Sequence, residues 1–66
     1  MTPDHEFTNG TKVRAMYDGF AKMYERGDTA TVIDSGWICG VVLFIKIKTD
    51  NGKNMTVYAS NWQVIQ

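Results

Sequence analysis

The side chains that most often carry catalysis are scarce in this chain. Among 66 residues there is one histidine, His5, and one cysteine, Cys39. A single histidine close to the first residue offers no partner for an acid–base pair or a triad. Cys39 lies within an apolar run, which predicts a small packing residue rather than a nucleophile. We therefore predict that the protein is not an enzyme.

The carboxylates do not suggest a reaction or a metal site. The seven acidic residues are dispersed along the chain, and several lie beside glycine or serine at expected turns. In such positions a carboxylate accepts hydrogen bonds from nearby backbone groups. One histidine and one cysteine cannot supply a zinc site, and Asp50-Asn51-Gly52 has too few ligands for a calcium loop. We expect no metal and no cofactor.

Four residues have types that suit nucleic-acid binding. Phe44 and Tyr58 offer rings for base stacking, and Lys46 and Lys48 offer contacts to phosphate. Alternating lysines are also ordinary solubilising residues on an exposed strand. Seven basic and seven acidic residues give a net charge of zero, so no overall field attracts a polyanion. Binding of RNA or single-stranded nucleic acid is therefore our second hypothesis.

Aromatic residues favour protein association more broadly. The chain has two tryptophans, three tyrosines and three phenylalanines, more than a small core can enclose. We predict that Trp37, Ile38 and Phe44 contact a protein partner or a second copy of the chain. An alternative for Trp37 is that it covers one end of the fold. The first functional hypothesis is thus a non-catalytic protein-binding module, acting as an adaptor, inhibitor or regulator.

Two alternating segments around a turn, from Ile45 to Tyr58, predict the element that presents these residues. The connection Asp50-Asn51-Gly52 suits a three-residue loop in which Gly52 takes the left-handed conformation. A two-residue turn would mix polar and apolar side chains on both faces. In the three-residue register Ile47 pairs with Met55 and Ile45 with Val57. The outer face then carries Phe44, Lys46, Lys48, Asn54, Thr56 and Tyr58.

Shorter segments precede this hairpin. Residues 1–9 contain one large apolar side chain, Phe7, and are predicted to form a flexible arm. A first strand is predicted over Thr11–Tyr17. Its inward residues would be Val13, Ala15 and Tyr17. A loop with room for one helical turn then leads to Asp28.

A second strand is predicted over Thr29–Ile33, ended by Asp34-Ser35-Gly36. The run Trp37–Ile45 has no polar side chain apart from its cysteine. It is expected to be buried on both faces, to bend at Gly40, or to cover a neighbouring subunit. The segment Ala59–Ile65 predicts a tight turn and a closing strand. Together these segments predict an all-β barrel of about five short antiparallel strands over residues 10–66.

The size and the cysteine content bear on location. A chain of 66 residues makes one domain with a small core. The single cysteine and the lack of a signal-peptide pattern predict a cytoplasmic protein. The run Trp37–Ile45 is far shorter than the roughly 20 residues needed to span a bilayer, so no membrane span is expected.

Three segments, in order, resemble the Src-homology-3 (SH3) domain. Val13-Arg14-Ala15-Met16-Tyr17-Asp18 is similar to its opening Ala-Leu-Tyr-Asp strand. Residues 26–33, with Gly27-Asp28 and Val32, are similar to its Gly-Asp-x-x-x-Val strand. Residues 58–65, with Ser60-Asn61-Trp62, are similar to its Pro-Ser-Asn-Tyr ending. The resemblance covers about half the chain and implies an SH3-like barrel with a 3₁₀ turn before its last strand.

The resemblance also implies a peptide-binding groove, and this chain departs from the SH3 pattern in that groove. SH3 domains receive polyproline segments in an aromatic groove, of which Tyr17, Trp37, Asn61 and Trp62 would be the remaining members. Ala59 replaces the groove proline. We accordingly add Tyr17 and Trp62 to the predicted protein-contact residues. The hairpin also resembles KOW-type and other bacterial or phage SH3-like barrels, which bind RNA or proteins, and more distantly the pore strand of type II dihydrofolate reductases.

Overall fold

The fold is all-β, with five strands in one antiparallel sheet. The computed structural model describes residues 6–65. The strands are β1 (Lys12–Ala15), β2 (Thr29–Ile38), β3 (Val42–Thr49), β4 (Asn54–Tyr58) and β5 (Trp62–Val64). Their spatial order is β4-β3-β2-β1-β5. Two 3₁₀ turns, Phe20–Lys22 and Ala59–Asn61, precede β2 and β5. The predictions of an all-β fold, five antiparallel strands and a tight turn before the last strand are confirmed.

All five strands contribute side chains to one core, although the hydrogen-bonded ladder stays open. Strands β4 and β5 are the two edges of the sheet, and within residues 6–65 no backbone pairing joins them. The predicted closure into a barrel is therefore absent from the strand pairing. The core residues are Val13, Ala15, Tyr24, Ala30, Val32, Ile45, Ile47, Val57, Ala59 and Trp62.

The β3–β4 hairpin has the register expected from its apolar residues. Ile47 pairs with Met55 and Ile45 with Val57. Ile45 and Ile47 are fully buried, and Met55 is partly buried against the core. Gly52 has φ +91°, and its N–H donates to the carbonyl oxygen of Thr49 at 2.8 Å. The three-residue connection with a left-handed glycine is confirmed, because it is the register that keeps one face apolar.

Strand β2 is longer than the sequence predicts. It continues through Asp34-Ser35-Gly36 to Ile38, so the prediction that these polar residues end the strand is wrong. The pairing with β3 shifts between Val32 and Asp34, which leaves Ile33 without a partner in a β-bulge. The bulge lets the strand bend while it keeps pairing. Asp34 therefore lies along the strand, opposite Lys46, rather than in a turn.

The apolar run bends between β2 and β3. Cys39 and Gly40 both have positive φ, +54° and +71°, and the N–H of Val41 donates to the carbonyl oxygen of Ile38 at 3.2 Å. The bend expected at Gly40 is thus the one adopted. Cys39 is exposed in this turn, so the prediction that it packs in an apolar interior is wrong. A tight hairpin turn projects its central residues into solvent, whatever the hydropathy of their neighbours.

Strand β1 is shorter than predicted, and Tyr17 does not face the core. Ala15 pairs with Trp62, the first residue of β5, so no β5 residue pairs with the chain beyond Ala15. Tyr17 lies past that point and is 60% exposed. The aromatic residue that enters the core is instead Tyr24, whose ring centroid lies 4.9 Å from that of Trp62.

The loop that contains Tyr24 folds tightly over a glycine. The N–H of Gly19 donates to the carbonyl oxygen of Tyr24 at 2.7 Å. A Cβ added to Gly19 would lie 2.6 Å from a carbon of the Tyr24 ring. Asn61 Nδ2 donates to the Tyr24 hydroxyl at 3.4 Å. The absence of a side chain at Gly19 is what lets the Tyr24 ring seat against the core.

Asp50 fastens the β3–β4 turn to the first two strands. Its carboxylate accepts a hydrogen bond from the Thr29 hydroxyl and pairs with Lys12 Nζ at 3.3 Å. Its backbone N–H donates to the carbonyl oxygen of Thr29 at 3.2 Å. The Thr29 hydroxyl and then the Lys12 ammonium lower the pKa of Asp50 below its usual value. The ionised carboxylate is therefore the form that the fold favours.

The predicted arm at residues 1–9 is described only from residue 6, and residues 1–5 lie outside the described part. Phe7 is partly buried against the core. The N–H of Gly10 donates to the carbonyl oxygen of Val32 at 2.7 Å, and the N–H of Thr11 donates to that of Thr8 at 3.1 Å. In the described part of the chain, no helix has the length and apolar character to cross a membrane.

Candidate functional site

The outward face of β2, β3 and β4 is the surface that gathers most of the candidate residues. Side chains alternate along a strand, so the residues next to buried Ile45 and Ile47 point away from the core. Register pairs then place their partners on the same side. We call this surface the outer ribbon. It consists of Asp34, Gly36, Ile38, Val42, Phe44, Lys46, Lys48, Asn54, Thr56 and Tyr58.

One end of the outer ribbon is apolar. Phe44 pairs with Tyr58, and their ring centroids are 4.6 Å apart with an interplanar angle of 35°. The neighbouring pair, Ile38 and Val42, comes next towards the β2–β3 turn. Tyr58 and Ile38 are each 52% exposed. We call these four residues the apolar end. They form a group of apolar side chains whose outward side is exposed to solvent.

A glycine opens a shallow depression beside the Phe44 ring. Gly36 pairs directly with Phe44, and a Cβ added to it would have no atom within 4 Å. The depression has a volume of about 230 Å³. Its lining residues are Asp34, Ser35, Gly36, Phe44, Lys46 and Thr56. The space beside the Phe44 ring, above Gly36, is therefore open to a side chain from a partner.

The other end of the outer ribbon is polar and carries two lysines. Lys46 and Lys48 are exposed on β3, with Thr56 and Asn54 as their partners on β4. Neither ammonium forms an ion pair within residues 6–65, where the ion pair found joins Lys12 and Asp50. Asp34 lies opposite Lys46 on β2. This polar end can contact carboxylates or phosphates without first breaking an ion pair in the described chain.

The remaining candidate residues lie elsewhere. Trp62 is 2% exposed and belongs to the core. Its Nε1 is buried with no hydrogen-bond partner among the described residues. Trp37 pairs with Leu43 on the inward side and lines a groove that also includes Phe7. Tyr17 is exposed beyond β1. The structure thus groups Ile38, Phe44, Lys46, Lys48 and Tyr58 on one surface and leaves Tyr17, Trp37 and Trp62 outside it.

Some exposed apolar residues were not anticipated from the sequence. Val42 joins the apolar end, and Val41 is 76% exposed in the β2–β3 turn. A two-residue turn at Cys39-Gly40, where both residues adopt positive φ, makes the flanking residues the ends of two paired strands. The signal in the sequence was therefore the Cys-Gly pair. Phe20 is 88% exposed in the first 3₁₀ turn, and no sequence signal identifies it.

The described residues do not bring together a set of metal-ligating side chains. No group of three or more histidine, cysteine or acidic side chains in residues 6–65 is placed to hold a metal ion. His5 lies outside the described residues. The Asp50 carboxylate is engaged by Thr29 and Lys12 and holds a turn. The outer ribbon presents aromatic, aliphatic and cationic groups side by side.

Comparison with known proteins identifies no relative. No protein-family model matches the chain. Neither the curated proteins nor the solved structures contain a significant match.

Proposed function

We propose that this chain is an SH3-like small β-barrel that acts as a non-catalytic protein-binding module in the cytoplasm, as a small stand-alone adaptor, inhibitor or regulator. The first strand, the 3₁₀ turn before the closing strand and the shared core support an SH3-like arrangement. The sequence resemblance supplies the same elements in the same order. The open ladder between β4 and β5 would then be bridged by side chains rather than by hydrogen bonds.

The observation that carries the functional proposal is the apolar end of the outer ribbon. Two aromatic rings in contact and two aliphatic residues are adjacent on a rigid three-stranded support. Aromatic anchors surrounded by polar groups are typical of protein contact surfaces. The support is rigid because the residues behind it, Ile45 and Val57, belong to the core. The contact therefore costs little ordering of the protein itself.

The charges around the apolar end indicate the chemistry of the partner. Lys46 and Lys48 have no ion-pair partner within residues 6–65 and lie next to Phe44 along β3. A partner surface with an apolar centre and acidic residues at its edge would complement them. A second copy of this chain would instead meet the lysines with its own lysines, unless Asp34 of each copy reached Lys46 of the other. A distinct protein partner is thus the better match.

The test compares three variants in a pull-down from host extract, with sedimentation of the purified protein alongside it. We expect Phe44→Ala and Ile38→Ser each to remove the captured partner, because they delete the centre of the contact. Phe20→Ala is the matched control, since Phe20 is 88% exposed but lies on the first 3₁₀ turn. Thermal unfolding of each variant checks that the fold is intact. Retention of every partner and of the oligomeric state by Phe44→Ala and Ile38→Ser would refute the proposal.

A second function, binding of RNA or single-stranded DNA, is favoured by one specific observation. The Phe44 and Tyr58 rings lie in contact, and Lys46 and Lys48, which form no ion pair with a described residue, continue the same face. Rings beside cations form the usual platform for single strands. The net charge of zero provides no long-range attraction. Retention on single strands that disappears as salt rises, and that Lys46→Glu with Lys48→Glu abolishes, would place this function first.

A further inference from the structure

A second concave surface lies at the opposite end of the sheet from β4, where β1, β5 and the loop after β1 meet. Its volume is about 690 Å³. It shares no lining residue with the outer ribbon. The lining residues are Arg14, Ala15, Met16, Tyr17, Asp18, Arg26, Gly27 and Gln63.

Two arginines that form no ion pair within residues 6–65 give this concavity its charge. Arg14 points outward from β1, between the buried residues Val13 and Ala15. Arg26 enters from the loop. Neither guanidinium forms an ion pair or a side-chain hydrogen bond with any residue in the range 6–65. Each guanidinium therefore keeps its donors free of competing partners among the described residues.

The walls that carry these arginines are fixed by backbone hydrogen bonds. The N–H of Arg26 donates to Asp18 Oδ1 at 2.9 Å. The next N–H, that of Gly27, donates to the carbonyl oxygen of Ala15 at 2.9 Å, with Gly27 at φ +93°. These bonds tie the loop to the end of β1. The positions from which both arginines project are thus set before any ligand arrives, which lowers the entropy cost of binding.

Two neutral donors complete the lining. Gln63 is the register partner of Arg14, so its amide lies beside the Arg14 side chain on the outward face of β1 and β5. The Tyr17 side chain is largely exposed and offers a hydroxyl and a ring. Guanidinium groups match the oxygens of phosphates and carboxylates in pairs, and amide and hydroxyl donors suit the remaining oxygens.

We propose that this concavity binds a single oxyanion group, a phosphate or a carboxylate, carried by a small organic ligand. Arg14 and Arg26 hold the oxyanion, and Gln63 and Tyr17 supply further hydrogen bonds. Asp18 is the acidic residue among those that line the concavity, so its lining carries two cations and one anion. That balance suits one anionic group rather than a chain of phosphates.

The Asp18 carboxylate determines the direction in which its replacement should change the affinity for an oxyanion. This carboxylate repels the bound anion, and its Oδ1 also accepts the Arg26 N–H. Asparagine keeps an acceptor oxygen at the same place and removes the charge. Asp18→Asn is therefore expected to tighten oxyanion binding several-fold without releasing the loop. A purely structural role for Asp18 would leave affinity unchanged or weaken it.

The experiment is a titration of the folded protein, followed by backbone amide NMR signals, with inorganic phosphate, acetate and a nucleoside monophosphate. Sodium chloride keeps the ionic strength constant. We expect saturable shifts of the Arg26, Gly27 and Gln63 amides in the millimolar range. Arg14→Gln with Arg26→Gln should weaken binding by about ten-fold or more, because it removes both charge-assisted contacts to the oxyanion.

The matched control removes the same charge from another surface. Lys46→Gln with Lys48→Gln lowers the net charge equally, and we expect it to change the affinity by less than about two-fold. The order of phosphate, acetate and nucleoside monophosphate affinities identifies the oxyanion, and saturable binding of any of them at these amides supports the site. Absence of saturable shifts for all three anions would overturn the proposal. Equal loss in the arginine and the lysine variants would also overturn it, because binding would then reflect net charge alone.

Discussion

Replacing Gly19 by alanine tests how the loop is held on the core. Gly19 has φ −79° and ψ 160°, a conformation that alanine adopts without strain. On backbone grounds alone, the change would stabilise the fold by about 0.4–1 kcal/mol. The added Cβ, however, would lie 2.6 Å and 2.7 Å from two carbons of the Tyr24 ring. The sign of the effect therefore depends on whether that ring can move.

The surroundings of Tyr24 indicate that the ring stays in place. The side chain is 7% exposed, its ring contacts that of Trp62, and its hydroxyl accepts a hydrogen bond from Asn61. Forcing extra atoms into such a site costs about 1–3 kcal/mol. After subtraction of the backbone gain, we expect Gly19→Ala to lower the free energy of unfolding by up to about 2.5 kcal/mol. For a domain of this size that corresponds to a fall in Tm of roughly 4–8 °C per kcal/mol.

Chemical denaturation and thermal unfolding measure the effect, and a second glycine provides the control. A Cβ at Gly36 would meet no atom within 4 Å, so Gly36→Ala is expected to be neutral or to stabilise by up to about 1 kcal/mol. A double-mutant cycle with Tyr24→Leu isolates the contact, because Gly19→Ala should cost little once the ring is gone. Equal or higher stability of Gly19→Ala in the wild-type background would show that the reasoning about the ring is incorrect.

Three further predictions concern the core face, the β3–β4 turn and the β2–β3 turn. Ile47→Ala should lower the free energy of unfolding by about 2–5 kcal/mol, and Lys46→Ala by no more than about 0.5 kcal/mol, since adjacent residues face opposite sides; comparable losses in denaturant titrations would contradict the register. The pKa of Asp50 is lowered below 3.8, so its carboxylate stabilises the fold above that pH, and this stability is lost as the pH falls through the folded-state pKa. Asp50→Asn should therefore flatten the acid limb of a curve of stability against pH. An unchanged acid limb would contradict the role of Asp50. Cys39→Gly should raise the free energy of unfolding by about 0.5–1 kcal/mol, because it relieves a positive φ of +54° at an exposed position; a fall in thermal stability would contradict it.

The β3–β4 hairpin was predictable because two independent signals agree there. Strict alternation determines which residues face the core, and the Asp-Asn-Gly connection determines the register. The path of β2 was not predictable from the same kind of pattern. Asp34-Ser35-Gly36 has the composition of a turn, but the bulge at Ile33 reverses the alternation and keeps these residues in the strand. Pairing with β3 outweighs the local preference, and that pairing is visible only in three dimensions.

The candidate site was predictable in part for a similar reason. Phe44, Lys46, Lys48 and Tyr58 share a face because of the hairpin register alone. The sequence resemblance added Tyr17 and Trp62, but resemblance carries no information on which ring the core recruits. Here Tyr24 and Trp62 fill the interior, and Tyr17 stays outside. The concavity between Arg14 and Arg26 was also not anticipated, because it joins residues that are far apart in sequence and are brought together by the loop after β1.

The bulge at Ile33 makes β2 unusual in how it would respond to a change in length. Ile33 has no pairing partner on β3, so its removal would leave Val32 and Trp37 on the inward side as before. Loss of Asp34 has the same result, because Ile33 can take its outward place opposite Lys46. Loss of Ser35 or Gly36 could keep Trp37 inward only by closing the bulge, which would turn Asp34 towards the core. Tolerance of single-residue deletions in this strand should therefore be concentrated at Ile33 and Asp34, and gaps between natural variants of this chain would be expected to accumulate there.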